Sequence, residues 1–450
     1  MRKTLLVALV LSLIVVWPGP ARASGTTIDD YLREAFDATG LPGMSVVVTK
    51  DDQVVHASAL GDGVTVDTPM RVASISKSFT AAAVLALVDE GRVELDEPVV
   101  TYLPEFRMAD ERAGRTTVRQ LLNQTSGLSD RTVDIAATQH AKDLAGYVGA
   151  LRDGRLAGEP GSRWEYCNVN YDVAARLVEV VDGRSFPDAV REKVFAPLGM
   201  KASSVGDDVA DGYNSLFGWW VRRPELPGFR GGAGGVVTTA SDMGRWLISQ
   251  TGHGPRTLTR ASLAVMHEPA PGTGYAMGWG PVEVDGHTLL VHSGNLFTYT
   301  AVQAVDPATG YGYAVLTDSA GLRDDTYDIM LGLVALTDGR EPAVPGHGRQ
   351  WIELALALVA LLAIGLGVLG VLRPGRRLKW LRLAAALTPV VVFVTYPQWV
   401  SFLTNGRAVT WAQMTYFAAP LTITIGIAAA AGLAAAVACL IRLVRLRSSR

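Results

Sequence analysis

The sequence predicts a mixed α and β domain, an antiparallel sheet flanked by helices with a helical region inserted, followed by three transmembrane helices. Strand patterns occur towards both ends of residues 24–337, and helical and turn patterns fill the middle. Long apolar runs occupy residues 351–441. Because strands from the two ends of a domain can pair in one sheet, we expect the inserted helices to cover that sheet.

The first 23 residues have the pattern of a secretory signal peptide. Arg2 and Lys3 precede an apolar run from Leu5 to Val16, and Ala-Arg-Ala ends at Ala23. A basic start, a short apolar core and small residues at the cleavage site are typical of such peptides. An uncleaved N-terminal anchor is the alternative, although the run is short for a membrane span. Both interpretations export the segment that follows.

Strands and helices can be placed along residues 24–337. Residues 43–63 predict two short strands around a turn. A helix is expected to begin at Ser74 and to end at Gly91, which can adopt a left-handed conformation. Residues 95–230 show short helical stretches and many turn signals. Three late strands and a closing helix are predicted at residues 287–294, 299–307, 311–319 and 328–339.

The C-terminal part contains three apolar runs. They cover residues 351–372, 381–400 and part of 411–441, and runs of about 20 apolar residues are long enough to span a bilayer. Glu353 lies near the outer end of the first run, where its side chain can reach the membrane interface. Residues 338–350 are interpreted as a linker, since they are rich in Pro, Gly and Arg.

Basic residues indicate the orientation of these runs. Five lie around the first connection, four lie in the basic tail 442–450, and only Arg407 lies in the second connection. The positive-inside rule therefore places the first connection and the tail in the cytoplasm. We expect a multi-pass protein of the cell membrane, with lipid as a partner and the large domain on the extracytoplasmic side.

Charge and cysteine content exclude several classes of function. Residues 341–450 carry a net charge of +9, so the total of −2 leaves −11 on residues 1–340. An acidic domain without a basic patch is not expected to bind nucleic acid. Cys167 and Cys439 lie in different parts of the chain, so no disulfide is expected. The scattered histidines form no metal-binding motif, and we expect neither a metal nor another cofactor.

Ser74 and Lys77 stand three residues apart in the apolar helix, so their side chains share one face. Burial of a lysine disfavours its charged form, and a neutral amine beside a hydroxyl can accept its proton. Free N–H groups at the start of the helix can stabilise an oxyanion. The alternative is structural: Ser74 caps the helix, and Lys77 extends to the surface.

Two further motifs favour catalysis. Tyr166 and Asn168 form a Y-x-N triplet, and His292, Ser293 and Gly294 follow a predicted strand. The series S-x-x-K, then a polar triplet, then K-T-G or a relative of it, is the motif set of penicillin-recognising serine enzymes.

Residues 28–337 resemble the serine beta-lactamase-related hydrolases, which include class C beta-lactamases, low-molecular-weight penicillin-binding proteins, D-aminopeptidases and related esterases. The stretch "RVASISKSFTAAAVLALVDEG" is similar to the segment that carries the nucleophile in this family. "VRQLLNQTSGL" resembles a recurring stretch, with Gln124 where histidine is usual, and "GGAGGVVTTASDMGRW" resembles a shared glycine-rich turn and helix. The resemblance implies the beta-lactamase/transpeptidase-like fold.

The resemblance also implies roles for single residues. Ser74 would attack an acyl carbon, Lys77 would activate Ser74, and Tyr166 would relay protons to the leaving group and to the deacylating water. Asn168 would hydrogen-bond the substrate amide. Ser74 and Asn295 would supply the backbone N–H groups of the oxyanion hole.

The third motif departs from the pattern of many family members. Gly294 would let its strand pass close to the substrate, but His292 stands where lysine is common. Histidine is mostly neutral at pH 7, which weakens the case for a true beta-lactamase and leaves peptidase and esterase activities open. Cys167 is the alternative nucleophile, and it is disfavoured because no histidine is paired with it in the sequence.

The sequence thus predicts a membrane-anchored extracytoplasmic serine hydrolase that forms an acyl-enzyme at Ser74. Its expected substrates are D-amino-acid peptides, such as those of the cell wall, or small esters and amides. The alternative is a penicillin-binding receptor that is acylated without turnover. Transport by the apolar runs is disfavoured, because they contain few charged residues at depth.

Overall fold

The computed structural model describes residues 26–206, 208–372, 379–403 and 409–448. The predicted signal peptide, residues 373–378 of the first predicted connection and Arg407 lie outside these residues.

The largest sheet has six antiparallel strands in the order β2-β1-β11-β10-β9-β8. Val46 pairs with Val315, so strands from both ends of the domain form one sheet as predicted. Two three-stranded sheets have the orders β12-β5-β6 and β3-β7-β4. The strands of the described residues are β1 (Gly43–Lys50), β2 (Gln53–Gly61), β3 (Met70–Arg71), β4 (Ser204–Val205), β5 (Gly212–Leu216), β6 (Trp219–Arg223), β7 (Val236–Thr238), β8 (Gly280–Val284), β9 (His287–Asn295), β10 (Thr300–Asp306), β11 (Tyr311–Thr317) and β12 (Ser319–Ala320).

Helices cover both faces of the large sheet, and further helices follow in the C-terminal part of the chain. Most of the secondary structure between β3 and β8 is helical, as the sequence predicts, although the short strands β4 to β7 also lie there. The α-helices of the described residues are α1 (Ile28–Thr39), α2 (Ser76–Asp89), α3 (Val99–Tyr102), α4 (Val118–Leu122), α5 (Ile135–Gln139), α6 (Leu144–Gly149), α7 (Val169–Asp182), α8 (Phe186–Val190), α9 (Ala196–Leu198), α10 (Ala240–Gln250), α11 (Arg260–His267), α12 (Thr326–Thr337), α13 (Gly348–Leu372), α14 (Lys379–Val394), α15 (Tyr396–Leu403), α16 (Trp411–Phe417) and α17 (Ala419–Ser448).

Strand β1 is buried on both faces, which explains its continuous apolar sequence. Successive side chains of a strand point to opposite faces, so Val46 and Val48 join the core beneath α1 and α12. Val47 joins the larger core formed by α2, α10 and the inserted helices. In that core the rings of Phe79 and Trp246 lie 4.3 Å apart between centroids. The two cores hold the sheet between two helical layers.

Helix α2 begins at Ser76, two residues later than predicted, because Ala73–Ile75 form a 3-10 turn. Every residue from Ser76 to Leu87 is buried, which accounts for a sequence that is apolar on all sides. Gly91 has φ +69°, the left-handed conformation expected after the end of this helix.

In the part of the chain that the structure describes, two helices are long and apolar enough to cross a membrane, Gly348–Leu372 and Ala419–Arg442. The pair Trp380–Val394 and Tyr396–Leu403 is bent by 61°, and only if it crosses as one unit do the described residues contain the three predicted spans. Helix α13 begins three residues before the predicted start of the first apolar run.

Candidate active site

Ser74 lies on the 3-10 turn that precedes α2, and its side chain is partly exposed. Ala73 before it has φ +49°, a left-handed conformation that is uncommon for residues other than glycine. The turn is tied to the sheet that contains β7, since the Val72 N–H donates to the Val236 carbonyl oxygen at 3.2 Å. This local backbone conformation presents Ser74 at the surface while the following helix is buried.

Lys77 is fully buried, and its amine lies among three oxygen atoms. Its Nζ is 3.0 Å from Ser74 Oγ, 2.9 Å from Asn168 Oδ1 and 2.8 Å from the Ala233 carbonyl oxygen. An ammonium group can donate to all three. A neutral amine can donate to Asn168 and Ala233 and accept the Ser74 hydroxyl proton. A proton can therefore move between Ser74 and Lys77 without any change of partners.

Tyr166 is a second hydrogen-bond partner of Ser74. Its hydroxyl donates to Ser74 Oγ at 2.8 Å, and Lys77 Nζ lies 4.8 Å from the centroid of its ring. Asn168 follows at the start of α7. The S-x-x-K and Y-x-N motifs thus form one hydrogen-bonded cluster.

Gln124 holds the loop that carries Tyr166. Its Oε1 accepts from the Cys167 N–H at 3.0 Å and from Asn170 Nδ2 at 2.6 Å, and its carbonyl oxygen accepts from the Glu165 N–H at 3.0 Å. Gln124 itself has φ +59°. Cys167 is fully buried, so its thiol is not accessible to a substrate from solution.

Asp172 supports the site indirectly, through the backbone of Ala233. Its Oδ1 accepts from the Ala233 N–H at 3.1 Å, while the carbonyl oxygen of Ala233 accepts from Lys77. Burial raises the pKa of Asp172 to about 6, an effect opposed by its backbone hydrogen bonds and by the charge of Lys77. The Ala233 backbone therefore links Asp172 to Lys77.

His292 is nearly buried at the end of β9 and carries its proton on Nδ1. That nitrogen lies 2.7 Å from the Ser293 carbonyl oxygen, which can only accept. Nε2 consequently accepts from the Tyr275 hydroxyl at 3.2 Å. Burial, and secondly the charge of Lys77, lower the pKa of His292 to about 3. His292 is therefore neutral at pH 7.

Strand β9 passes directly beside the turn that carries Ser74. A Cβ atom on Gly294 would collide with the Val72 carbonyl oxygen, so only glycine allows this approach. Asn295 ends the strand, pairs with Thr300 and is exposed. Ser293 is half-buried on the same strand. The structure thus brings the third motif next to the cluster of the first two.

Sequence reasoning missed the supporting residues Ala233, Asp172 and Tyr275. Ala233 contributes only backbone atoms, although the glycine-rich stretch around it could have indicated close backbone contact. Asp172 and Tyr275 lie in stretches without a motif. Among the described residues, no group of His, Cys, Asp or Glu side chains could hold a metal ion.

Comparison with known proteins identifies the family. Residues 28–337 match the Beta-lactamase family. Penicillin-binding protein 4 of Amycolatopsis lactamdurans is 32% identical over 368 residues, which cover 72% of this chain and 95% of that protein.

Solved structures share the fold. The octameric penicillin-binding protein homologue from Pyrococcus abyssi is 25% identical with a TM-score of 0.61, over 70% of this chain and 77% of that one. D-amino acid amidase from Ochrobactrum anthropi SV3, solved with L-phenylalanine amide, is 25% identical with a TM-score of 0.55, over 70% of this chain and 97% of that one. These matches confirm the predicted beta-lactamase/transpeptidase-like fold of mixed α and β structure, and this chain belongs to the Beta-lactamase family of serine hydrolases.

Proposed function

We propose that the protein hydrolyses amides or esters through an acyl-enzyme at Ser74, with Lys77 and Tyr166 as its proton-transfer groups. The observation that carries this proposal is the position of Ser74 Oγ, 3.0 Å from Lys77 Nζ and 2.8 Å from the Tyr166 hydroxyl. A nucleophile within hydrogen-bond reach of a base, with the base oriented by further groups, is the arrangement that activates a serine.

The first step forms the acyl-enzyme. Lys77 accepts the proton of Ser74 as Oγ attacks the acyl carbon, and the ammonium that results keeps Asn168 and Ala233 as acceptors. The backbone N–H groups of Ser74 and Asn295 stabilise the oxyanion. Tyr166 protonates the leaving group and takes a proton back from the Lys77 ammonium, so that both groups are neutral when Ser74 is acylated. In the second step the neutral Lys77 amine accepts a proton, through the Tyr166 hydroxyl, from the water that attacks the acyl carbon, and this proton passes to Ser74 Oγ as the acyl group leaves.

An uncharged leaving group suits this site better than one that carries a carboxylate. His292 is neutral and hydrogen-bonded on both nitrogens, so it offers no fixed positive charge to a carboxylate. We therefore propose amides and esters of D-amino acids ahead of beta-lactams and of peptides with a free C-terminus. The similarity to a D-amino acid amidase agrees with this choice.

Aromatic side chains beside His292 favour an apolar group on the substrate. The Trp164 and Tyr275 rings lie 6.1 Å apart between centroids, and the Tyr166 ring lies 6.4 Å from that of Tyr275. Trp164 is 44% exposed and can therefore contact a ligand. An aromatic surface of this kind contributes apolar contact area and directional ring stacking.

We further propose that the C-terminal helices anchor the catalytic domain on the extracytoplasmic side of the cell membrane. Large apolar side chains of α13, such as Leu358, Leu361 and Leu362, are exposed by more than half. A helix that exposes such a surface suits lipid better than water. The orientation rests on the distribution of basic residues along the sequence.

Acylation of the full-length protein in lipid nanodiscs tests the proposal. A fluorescent fluorophosphonate should label wild-type protein and leave Ser74→Ala unlabelled. Ser78→Ala is the matched control, because Ser78 lies four residues later, on α2, and bonds Ile75 and Gln303 instead. Labelling of Ser74→Ala at the wild-type rate would refute the assignment.

Turnover distinguishes the hydrolase from the receptor alternative. We expect steady release of p-nitroaniline from D-alanine and D-phenylalanine p-nitroanilides, and a much lower rate on D-Ala-D-Ala peptides and nitrocefin. A single burst equal to the enzyme concentration, with no further release, would instead indicate a receptor that stays acylated.

A further inference from the structure

The turn that follows Asn295 is held by residues outside the large sheet. Glu225, just after β6, accepts from the Phe297 N–H at 3.0 Å and from the Thr298 N–H at 2.8 Å. Asn214 of β5 donates its amide to the Phe297 carbonyl oxygen. Phe297 is only two residues from Asn295, a distance of at most about 7 Å along the backbone. The hairpin of β5 and β6 therefore fixes the segment next to the proposed oxyanion donor.

The same hairpin is docked on the first turns of α13. Arg349 Nη1 donates to Ser215 Oγ at 2.8 Å, and the Gly218 N–H donates to Glu353 Oε2 at 2.5 Å. Arg349 and Glu353 form an ion pair of 3.7 Å and are both almost completely buried. Glu353 thus contacts the domain instead of reaching the membrane interface as the sequence suggested. Removal of one partner from a buried ion pair leaves an uncompensated charge and is strongly destabilising, so this contact holds the hairpin against α13.

Helix α16 makes a second contact, through Tyr416. The Tyr416 ring lies between Phe297, at 6.0 Å between ring centroids, and Arg223, whose guanidinium carbon is 3.6 Å from the ring centroid. Arg223 Nη1 also donates to the Thr415 carbonyl oxygen at 3.0 Å and to Asn214 Oδ1 at 3.4 Å. A continuous set of contacts therefore runs from α16 to the turn that follows Asn295.

We infer that Tyr416 is a positioning residue for the hydrolytic reaction and that the C-terminal helices complete the active site by fixing the turn after Asn295. The inference rests on the proposed oxyanion role of the Asn295 N–H. An oxyanion donor acts only if it is aimed at the developing charge within a few tenths of an ångström, and a misplacement of about 1 Å can lower the rate about a hundredfold. Tyr416 contacts Phe297 in this turn and therefore helps to orient the Asn295 N–H.

The test compares Tyr416→Ala with wild-type full-length protein in lipid nanodiscs, using p-nitrophenyl acetate. We expect kcat to fall about tenfold, less than the loss that follows removal of an oxyanion donor, while KM changes by less than twofold. Tyr416→Phe keeps the ring contacts and should restore wild-type kcat. Phe297→Ala should lower kcat similarly, and the double variant should be no slower than either single variant, since both remove the same contact.

Trp411→Ala is the matched control, because Trp411 lies on the same helix but packs on Phe393 and Tyr396. It should leave kcat unchanged. Helix α16 should persist in every variant, since Thr410 and Gln413 form a capping box at its start. Equal kcat for Tyr416→Ala and wild type, or an equal loss of kcat in Trp411→Ala, would refute the role of Tyr416 and would leave the proposed function intact. Absence of Ser74 acylation in wild-type protein would refute the proposed function as well.

Discussion

Lys77 Nζ lies 2.9 Å from Asn168 Oδ1, so one hydrogen bond joins the start of α2 to the start of α7. The amine is completely enclosed, and its other neighbours are the Ser74 hydroxyl and the Ala233 carbonyl oxygen. Lys77 therefore has two effects that can be measured separately: proton transfer at Ser74 and the stability of the packing between the two helices.

Replacement of Lys77 should lower both the rate of hydrolysis and the stability of the protein. Lys77→Met keeps most of the volume but removes the base, and loss of a general base lowers kcat by about 10²–10⁴-fold. The Asn168 and Ala233 oxygens lose their buried donor, which costs about 1–3 kcal/mol of unfolding free energy for each unsatisfied group. Ester hydrolysis and denaturant unfolding measure the two effects. Activity within tenfold of wild type would show that another group accepts the proton.

Gln124 should affect activity through Tyr166. Gln124→Ala removes the acceptor of the Cys167 N–H and of Asn170, so the loop that carries the Tyr166 hydroxyl loses its support. We expect kcat to fall about tenfold or more, and Gln124→His, which introduces the residue usual in the family, to recover most of it.

The exposed Gln53 on β2 provides the control for this substitution. Gln53→Ala should leave kcat unchanged. If Gln124→Ala were as active as wild type, the loop would be positioned by its other contacts.

Gly294 should tolerate no side chain. In Gly294→Ala the new methyl group would collide with the Val72 carbonyl oxygen, which forces β9 away from the turn that carries Ser74. A displacement of about 1 Å corresponds to a loss of about a hundredfold in kcat, measured by ester hydrolysis. Gly114→Ala is the control, since a Cβ atom there meets no neighbour within 4 Å. Wild-type activity in Gly294→Ala would contradict the close approach of the two segments.

His267 should make the protein less stable in acid. Burial lowers its pKa to about 4, compared with about 6.5 in an unfolded chain. Between these values the unfolded state binds more protons, so stability is present above pH 6.5 and is lost as the pH falls to about 4. The slope is at most about 1.4 kcal/mol per pH unit for one group. His267→Gln, which can still bond Gln250, should lose less stability over this range.

Denaturant unfolding at a series of pH values measures that difference. His253→Gln is the matched control, because the His253 side chain is 47% exposed. It should follow the wild-type curve. Parallel curves for His267→Gln and wild type would show that His267 is not the group that takes up the proton.

Much of the fold could be predicted from sequence, because strand and helix periodicity are local. The late strands predicted at residues 287–294 and 311–319 correspond to β9 and β11, and the predicted closing helix corresponds to α12. The start of α2 could not be predicted, because the 3-10 turn at Ala73–Ile75 depends on a left-handed residue that carries a side chain. The bend between Val394 and Tyr396 could not be predicted from sequence either, because the apolar run continues through it.

The motif residues of the candidate site could be predicted because side-chain chemistry is visible in sequence. The Ala233 carbonyl oxygen could not, because any residue supplies a carbonyl group. Tyr275 and Asp172 contact the site only through tertiary packing. The contacts of Arg349 and Glu353 with Ser215 of β5 could not be predicted either, since the sequence places Arg349 in a linker and Glu353 near the outer end of an apolar run.

The order of strands in the large sheet also determines when the domain can fold. Strand β1 lies between β2 and β11, and Thr49 bonds to Gly312, 263 residues further along the chain. Until β11 has been synthesised, the hairpin of β1 and β2 therefore has an unpaired, apolar edge, which is a template for aggregation. Pairing at such sequence separation is slow. Every newly made copy must consequently pass through a period in which its own sheet does not yet protect this edge.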